Sequence, residues 1–184
     1  FYSTPKINFN KRSFLGRPFL YFCYGASVSE VTVDTLTGEN KIDRVDIIQD
    51  AGKAINPVLE LGQIEGGFVQ GQGWLTMEEV NWKPNGQITT TSPSTYKIPA
   101  ANDIPKKFNI EIFKKGKNKE NVVNKSKTTG EPPLMLAMSV FYAIKDAIAS
   151  VEKYKAIPKL DSPATPEKIL MSINELKKRI NYGS

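Results

Sequence analysis

The sequence predicts an α+β fold in which helices pack on a mostly antiparallel sheet. Val28, Val31 and Val33, then Thr35-Leu36-Thr37-Gly38-Glu39, then Ile42, Val45, Ile47 and Ile48 read as two β-branched strands joined by a turn at Gly38. Apolar residues also recur at spacings of three and four after Pro133 and again after Pro166, which is the period of two core helices. No internal repeat appears. Two packed layers around one core is then the simplest arrangement.

Residues 1–24 have no clean period and hold Phe1, Tyr2, Phe9, Phe14, Phe19, Tyr21, Phe22 and Tyr24. An irregular lead-in of that aromatic density is expected to pack on a partner surface, so the chain reads as a piece of a larger polypeptide or assembly. After the hairpin, Asn56-Pro57 marks a helix entry. Residues 58–79 carry the helical spacing Leu59, Ile64, Phe68 and Leu75, yet include Gly62, Gly66, Gly67, Gly71 and Gly73. Each interior glycine costs about 1 kcal/mol relative to alanine. Gln63, Gly67 and Gln70 share one helical face, either for tight helix packing or for contact with something polar and flat.

Residues 88–98 read as a strand ending at Pro99, and Phe108, Ile110 and Ile112 as another. Lys114, Lys115, Lys117, Lys119, Lys125 and Lys127 then gather in what is expected to be a solvated turn. Ala137, Val140, Phe141, Ile144, Ala147, Ile148 and Val151 form a core-helix stripe. A terminal helix over 165–181 has Thr165 as N-cap, Pro166 at its first position, and the stripe Ile169, Leu170, Ile173, Leu176 and Ile180.

Composition narrows the chemistry. The 184 residues, 40% hydrophobic, suffice for one domain or two small ones. No run approaches the roughly 18 apolar residues of a membrane span, and no charged-then-apolar leader opens the chain, so a cytoplasmic location is expected. Cys23 is the single cysteine and histidine is absent. Catalytic triads, Cys-His pairs, histidine-rich zinc sites and iron–sulfur ligation within the chain are thereby excluded, and any metal must come with a bound cofactor. No phosphate-loop or dinucleotide fingerprint is present. The net charge of +6 is concentrated in the lysine turn without interleaved aromatics or a reading module, so nucleic-acid binding is not expected.

Lys127-Thr128-Thr129-Gly130-Glu131-Pro132-Pro133-Leu134 places one carboxylate where two prolines open a helix. A helix N-terminus favours negative charge, and Gly130 permits close approach by backbone or ligand. On these local grounds Glu131 is a helix cap or a poised base, and either reading fits.

Several stretches together resemble the C-terminal part of the molybdenum-cofactor-binding portion of the xanthine dehydrogenase family. They are Tyr24-Gly-Ala, Glu30-Val-Thr-Val-Asp34 with Thr37-Gly38, Asn56-Pro57 leading to Gly62-Gln-Ile-Glu-Gly-Gly-Phe-Val-Gln-Gly71, Ser94-Thr-Tyr-Lys-Ile-Pro99 and Gly130-Glu-Pro-Pro-Leu134. The resemblance implies that residues 1–184 are the C-terminal portion of a molybdopterin-binding domain, itself part of a molybdenum hydroxylase that inserts water-derived oxygen at an electron-poor C–H carbon of a purine such as hypoxanthine or xanthine. It implies Glu131 as the general base and Gln63, with Gly130, as cofactor-binding residues; no residue here is implied as a metal ligand. It further implies that molybdopterin is the cofactor, that FAD and iron–sulfur clusters sit on other domains or subunits, and that the assembly is oligomeric. The remaining half of the molybdenum domain would complete the site, so the 184 residues alone are expected to bind little cofactor and turn over nothing. Aldehyde oxidase, another N-heterocycle hydroxylase, or a non-enzymatic subunit-interaction module are the alternatives.

Overall fold

Gly25–Val33 (β3) and Asn40–Gln49 (β4) pair antiparallel around Gly38, whose φ of 78° is the left-handed conformation the turn requires. The hairpin is followed by a long helix, Pro57–Thr76 (α1), and the strand Lys107–Ile112 (β5). A computed structural model describes residues 1 and 3–181; Tyr2 of the aromatic lead-in lies outside the described residues. Within that lead-in, Asn8–Asn10 (β1) and Leu15–Arg17 (β2) pair antiparallel, giving the stretch more order than its pattern suggests.

The sheet runs β3-β4-β5. It is antiparallel between β3 and β4 and parallel between β4 and β5, with Ile47 opposite Ile110. The parallel pair arises because α1 lies between the two strands in sequence and carries the chain back along the sheet, as a crossover connection must. The α+β class holds, with a sheet that is mixed at β5. Residues 88–98 do not form a strand: among the described residues that stretch contributes only an isolated bridge between Trp82 and Ile88. The reason is local, since the Ser92 hydroxyl bonds to those of Ser94 and Thr95 and the Tyr96 amide donates to the Ser92 carbonyl. Such bonds offer the backbone an alternative to a ladder.

Pro132–Ala137 is a 3₁₀ segment that runs into Met138–Val151 (α2), and Pro166–Asn181 (α3) closes the fold. Val45 and Ile47 of the sheet, Ile64 and Phe68 of α1, Val140, Ile144 and Ile148 of α2, and Ile169, Ile173 and Leu176 of α3 are the buried core. The strand residues are those that alternation selects, and the helical ones those that the 3.6-residue period selects. Phe68 meets Phe108 of β5 at 5.4 Å between ring centroids, locking α1 onto the sheet edge. By length and composition the helical run Pro132–Val151 is apolar enough to cross a membrane, at a mean hydropathy of 1.6, which corrects the expectation that no segment comes near. Its buried side belongs to the core just described.

Candidate functional site

The glycine-rich stretch of α1 makes a notch for the 3₁₀ segment. A Cβ on Gly67 would lie 2.9 Å from the Gly130 carbonyl oxygen and 3.3 Å from Pro133 Cβ, and one on Gly71 would lie 2.9 Å from Ala137 Cβ. Carbon atoms prefer about 3.5–4.0 Å. Glycine at these two positions is therefore set by close packing inside the chain, the first of the two alternatives the sequence left open. Gly62 and Gly66 differ: a Cβ at either meets nothing within 4 Å among the described residues.

On its other side the 3₁₀ segment is tied to the sheet. Ser27 Oγ donates to the Leu136 carbonyl at 2.6 Å, and the Ser29 and Ser139 hydroxyls share a hydrogen bond of 2.7 Å. Pro132 and Pro133 suit its start because neither has an N–H to leave unpaired. The Leu134 amide donates to the Glu131 carbonyl at 3.1 Å. The backbone around Glu131 is thus gripped between α1 and β3.

The carboxylate itself is not gripped. Glu131 is exposed, has helical φ and ψ of −95° and −42°, and its side chain makes no capping hydrogen bond. No other hydrogen bond or ion pair to it occurs among the described residues. Of the two local readings, the side-chain cap is therefore not what the structure shows. The dipole argument also weakens, because the α-helix proper starts at Met138, seven residues later, and a macrodipole acts over its first turn.

Gln63 lies exposed in the second turn of α1, and a Cβ on Gly130 would sit 3.1 Å from its Oε1. The structure therefore brings together all three residues the sequence nominated: Gln63 and Gly130 in contact, with Glu131 next in the chain. Like the carboxylate, the Gln63 carboxamide has no hydrogen-bond partner among the described residues. A carboxamide and a carboxylate, both unsatisfied and flanking a glycine whose missing side chain leaves room, fit a polar ligand of the pterin kind. They form an open face, not an enclosed pocket. A cavity of about 950 Å³ does exist, but it lies between the start of α1, β5 and residues 113–118 and includes none of the three. Among the described residues no group of three metal-ligating side chains is found.

Sequence reasoning missed the support beneath this face. Lys127, counted among solvated lysines, has its side chain only 6% exposed, and its ammonium meets the buried Asp50 carboxylate at 2.5 Å. Lys127 Nζ also lies 5.3 Å from the centre of the Tyr24 ring. Cys23 Sγ approaches the Thr128 carbonyl at 3.4 Å; burial raises its pKa against the opposing pull of Lys127. For Lys127 the available signal was Asp50, a carboxylate just past the second strand and two residues before Gly52. In the lysine-rich region Glu120 bonds Lys6 and Arg17, which draw its pKa down to about 2 and pin the lead-in hairpin to residues 118–120.

The family described as "Molybdopterin cofactor-binding domain" matches residues 1–105, more than half of the chain and including Gln63. Xanthine dehydrogenase/oxidase of Felis catus is 47% identical over 175 residues, covering 92% of this chain and 13% of that protein. Aldehyde oxidase 1 of Bos taurus is 46% identical over 171 residues, covering 91% and 13%. The fold matches quinoline 2-oxidoreductase from Pseudomonas putida 86 with a TM-score of 0.70 and 31% identity, over 79% of this chain and 18% of that one. The chain thus spans about an eighth of the length of the curated relatives it resembles. The match over 1–105, the relatives that extend it through Glu131, and the shared fold lead to one conclusion: the chain belongs to the molybdopterin cofactor-binding domain family and is similar to part of the oxidoreductases of the molybdenum hydroxylase class.

Proposed function

We propose that this chain contributes the base-bearing wall of the molybdopterin site in a xanthine dehydrogenase-type hydroxylase acting on purines. The observation that carries the reading is the juxtaposition of Gln63, Gly130 and Glu131, with both polar side chains unpartnered among the described residues on a backbone clamped by α1 and β3. Molybdopterin, when bound, supplies the molybdenum centre that accepts the two electrons leaving the substrate. This chain's own residues supply one wall of the site. Gln63 offers an amide donor and acceptor to orient the cofactor, and Gly130 keeps the approach clear.

Replacing C–H by C–OH with water releases two electrons and two protons, and Glu131 takes a proton from the attacking water-derived oxygen. Its fixed backbone and exposed side chain suit that task, since a base must reach its proton without first breaking another bond. FAD and iron–sulfur clusters are assigned to other domains or subunits, the remaining half of the molybdenum domain to the facing wall, and the assembly to an oligomer in the cytoplasm.

An aldehyde or other N-heterocycle as substrate is the second reading, favoured by the similar identity to the bovine aldehyde oxidase. Comparing kcat/KM for a purine and an aldehyde in the complete enzyme separates the two. Purine preference supports the proposal, and aldehyde preference replaces its substrate. A non-enzymatic interaction module is excluded if Glu131→Gln abolishes turnover while molybdenum is retained.

A further inference from the structure

We infer that the buried Asp50–Lys127 ion pair is a positioning device for Glu131; the inference rests on the reading of Glu131 as the base. Lys127 precedes Glu131 by four residues, and the two paired side chains are only 6% and 9% exposed for Lys127 and Asp50. Asp50 directly follows β4, and its Oδ1 accepts from the Gly52 amide at 2.8 Å while its Oδ2 accepts from Lys127 Nζ. Around the pair the backbones are zipped: the Lys127 amide donates to the Ala51 carbonyl at 2.8 Å and the Lys53 amide to the Lys125 carbonyl at 3.1 Å. The Asp50 amide donates to the Tyr24 carbonyl, whose ring covers the ammonium. Asn118 Nδ2 donates to the Ser126 carbonyl at 2.9 Å, closing the lysine-rich turn over the same site.

A buried ion pair adds little stability compared with apolar side chains of the same size, because desolvation offsets the attraction. What it adds is direction. Lys127 can satisfy its charge at one place only, so the start of the 127–131 segment is fixed against the end of β4. The far side of the same segment is fixed by the α1 notch and by Ser27. Glu131 stands between the two anchors with a free carboxylate, so the ion pair sets where that carboxylate lies.

The test uses the complete enzyme with Asp50→Asn, Lys127→Met and Lys127→Arg, beside Glu131→Gln. Asp50→Asn keeps an acceptor for the Gly52 amide and removes only the charge. Misplacing a proton acceptor by about 1 Å costs on the order of 100-fold and acts in the transition state, so kcat should fall about 10- to 100-fold in Asp50→Asn and Lys127→Met while KM moves less than about threefold. Molybdenum per chain should be unchanged, hydrogen exchange should quicken in residues 125–131 and not in α3, and Lys127→Arg should recover most of the rate. A kcat within twofold of the parent in both charge-removing variants overturns the inference, and so does loss of molybdenum with turnover in both. Should neither variant fold, exchange in the unmodified enzyme decides: protection of the Lys127 and Gly52 amides matching β4 supports the anchor, and exchange as fast as residues 83–87 overturns it. Turnover surviving in Glu131→Gln removes the base reading itself, whereas its loss beside fully active pair variants removes only the positioning role.

Discussion

Alanine at Gly71 is expected to damage catalysis without touching any group that meets the substrate. The added Cβ would fall 2.9 Å from Ala137 Cβ and closer still to the Leu134 carbonyl oxygen. Against a carbon–carbon optimum of about 3.5–4.0 Å, α1 and the 3₁₀ segment must separate by roughly 0.6–1 Å. Gly71 is buried and its neighbours are backbone and a methyl, so no flexible side chain can absorb the shift. Helix propensity would favour alanine by about 1 kcal/mol, while overpacking typically costs about 1–3 kcal/mol, so the packing term wins. Leu134 is hydrogen-bonded to Glu131, and the displacement therefore passes to the proposed base. At on the order of 100-fold per ångström of misplacement, kcat in the complete enzyme should fall about 10- to 100-fold. The assay is steady-state turnover normalised to molybdenum content. A Gly71→Ala enzyme within twofold of the parent would refute the claim that the notch sets the position of Glu131.

Phe68→Ala removes the ring that joins α1 to Phe108 and should destabilise the domain by about 3–5 kcal/mol, read as faster hydrogen exchange throughout α1. The Glu120 clamp on the lead-in should weaken in acid: its folded pKa of about 2 lies below the ordinary 4.5, so its contribution is complete above pH 4.5 and is lost as pH falls towards 2. Exchange or proteolysis of residues 3–17 across that window measures it, and Glu120→Gln should remove the pH dependence attributable to this group. The isolated 184-residue chain is expected to bind no stoichiometric molybdopterin and to show no hydroxylase activity. Quantifying bound pterin in the purified chain tests this, and stoichiometric pterin would contradict it.

The hairpin, the three helices and the core were legible because burial imposes a period. Ile144 and Ile148 are fully buried where the spacing put them, and Asn56 caps α1 through a hydrogen bond to the Leu59 amide as its type suggests. The parallel placement of β5 was not legible, since the alternation of Phe108, Ile110 and Ile112 says which side chains face inward and nothing about strand direction. Residues 88–98 misled because hydroxyl-rich sequence satisfies the backbone locally as readily as in a ladder. Local chemistry singled out Glu131 without deciding its role, the roles of Gln63, Gly130 and Glu131 came from motif resemblance, and the structure adds their proximity. The Asp50–Lys127 pair escaped because lysine is usually solvent-exposed, and only a partner 77 positions away in sequence makes its burial possible.

The most direct test of the account is Glu131→Gln in the complete enzyme, with turnover and molybdenum measured on the same preparation. The change keeps the size of a side chain that has no protein partner among the described residues, so folding and cofactor content should stay intact. Loss of a general base should lower kcat by about 10²- to 10⁴-fold. A turnover rate within twofold of the parent at full molybdenum occupancy would contradict the assignment of Glu131 as the base.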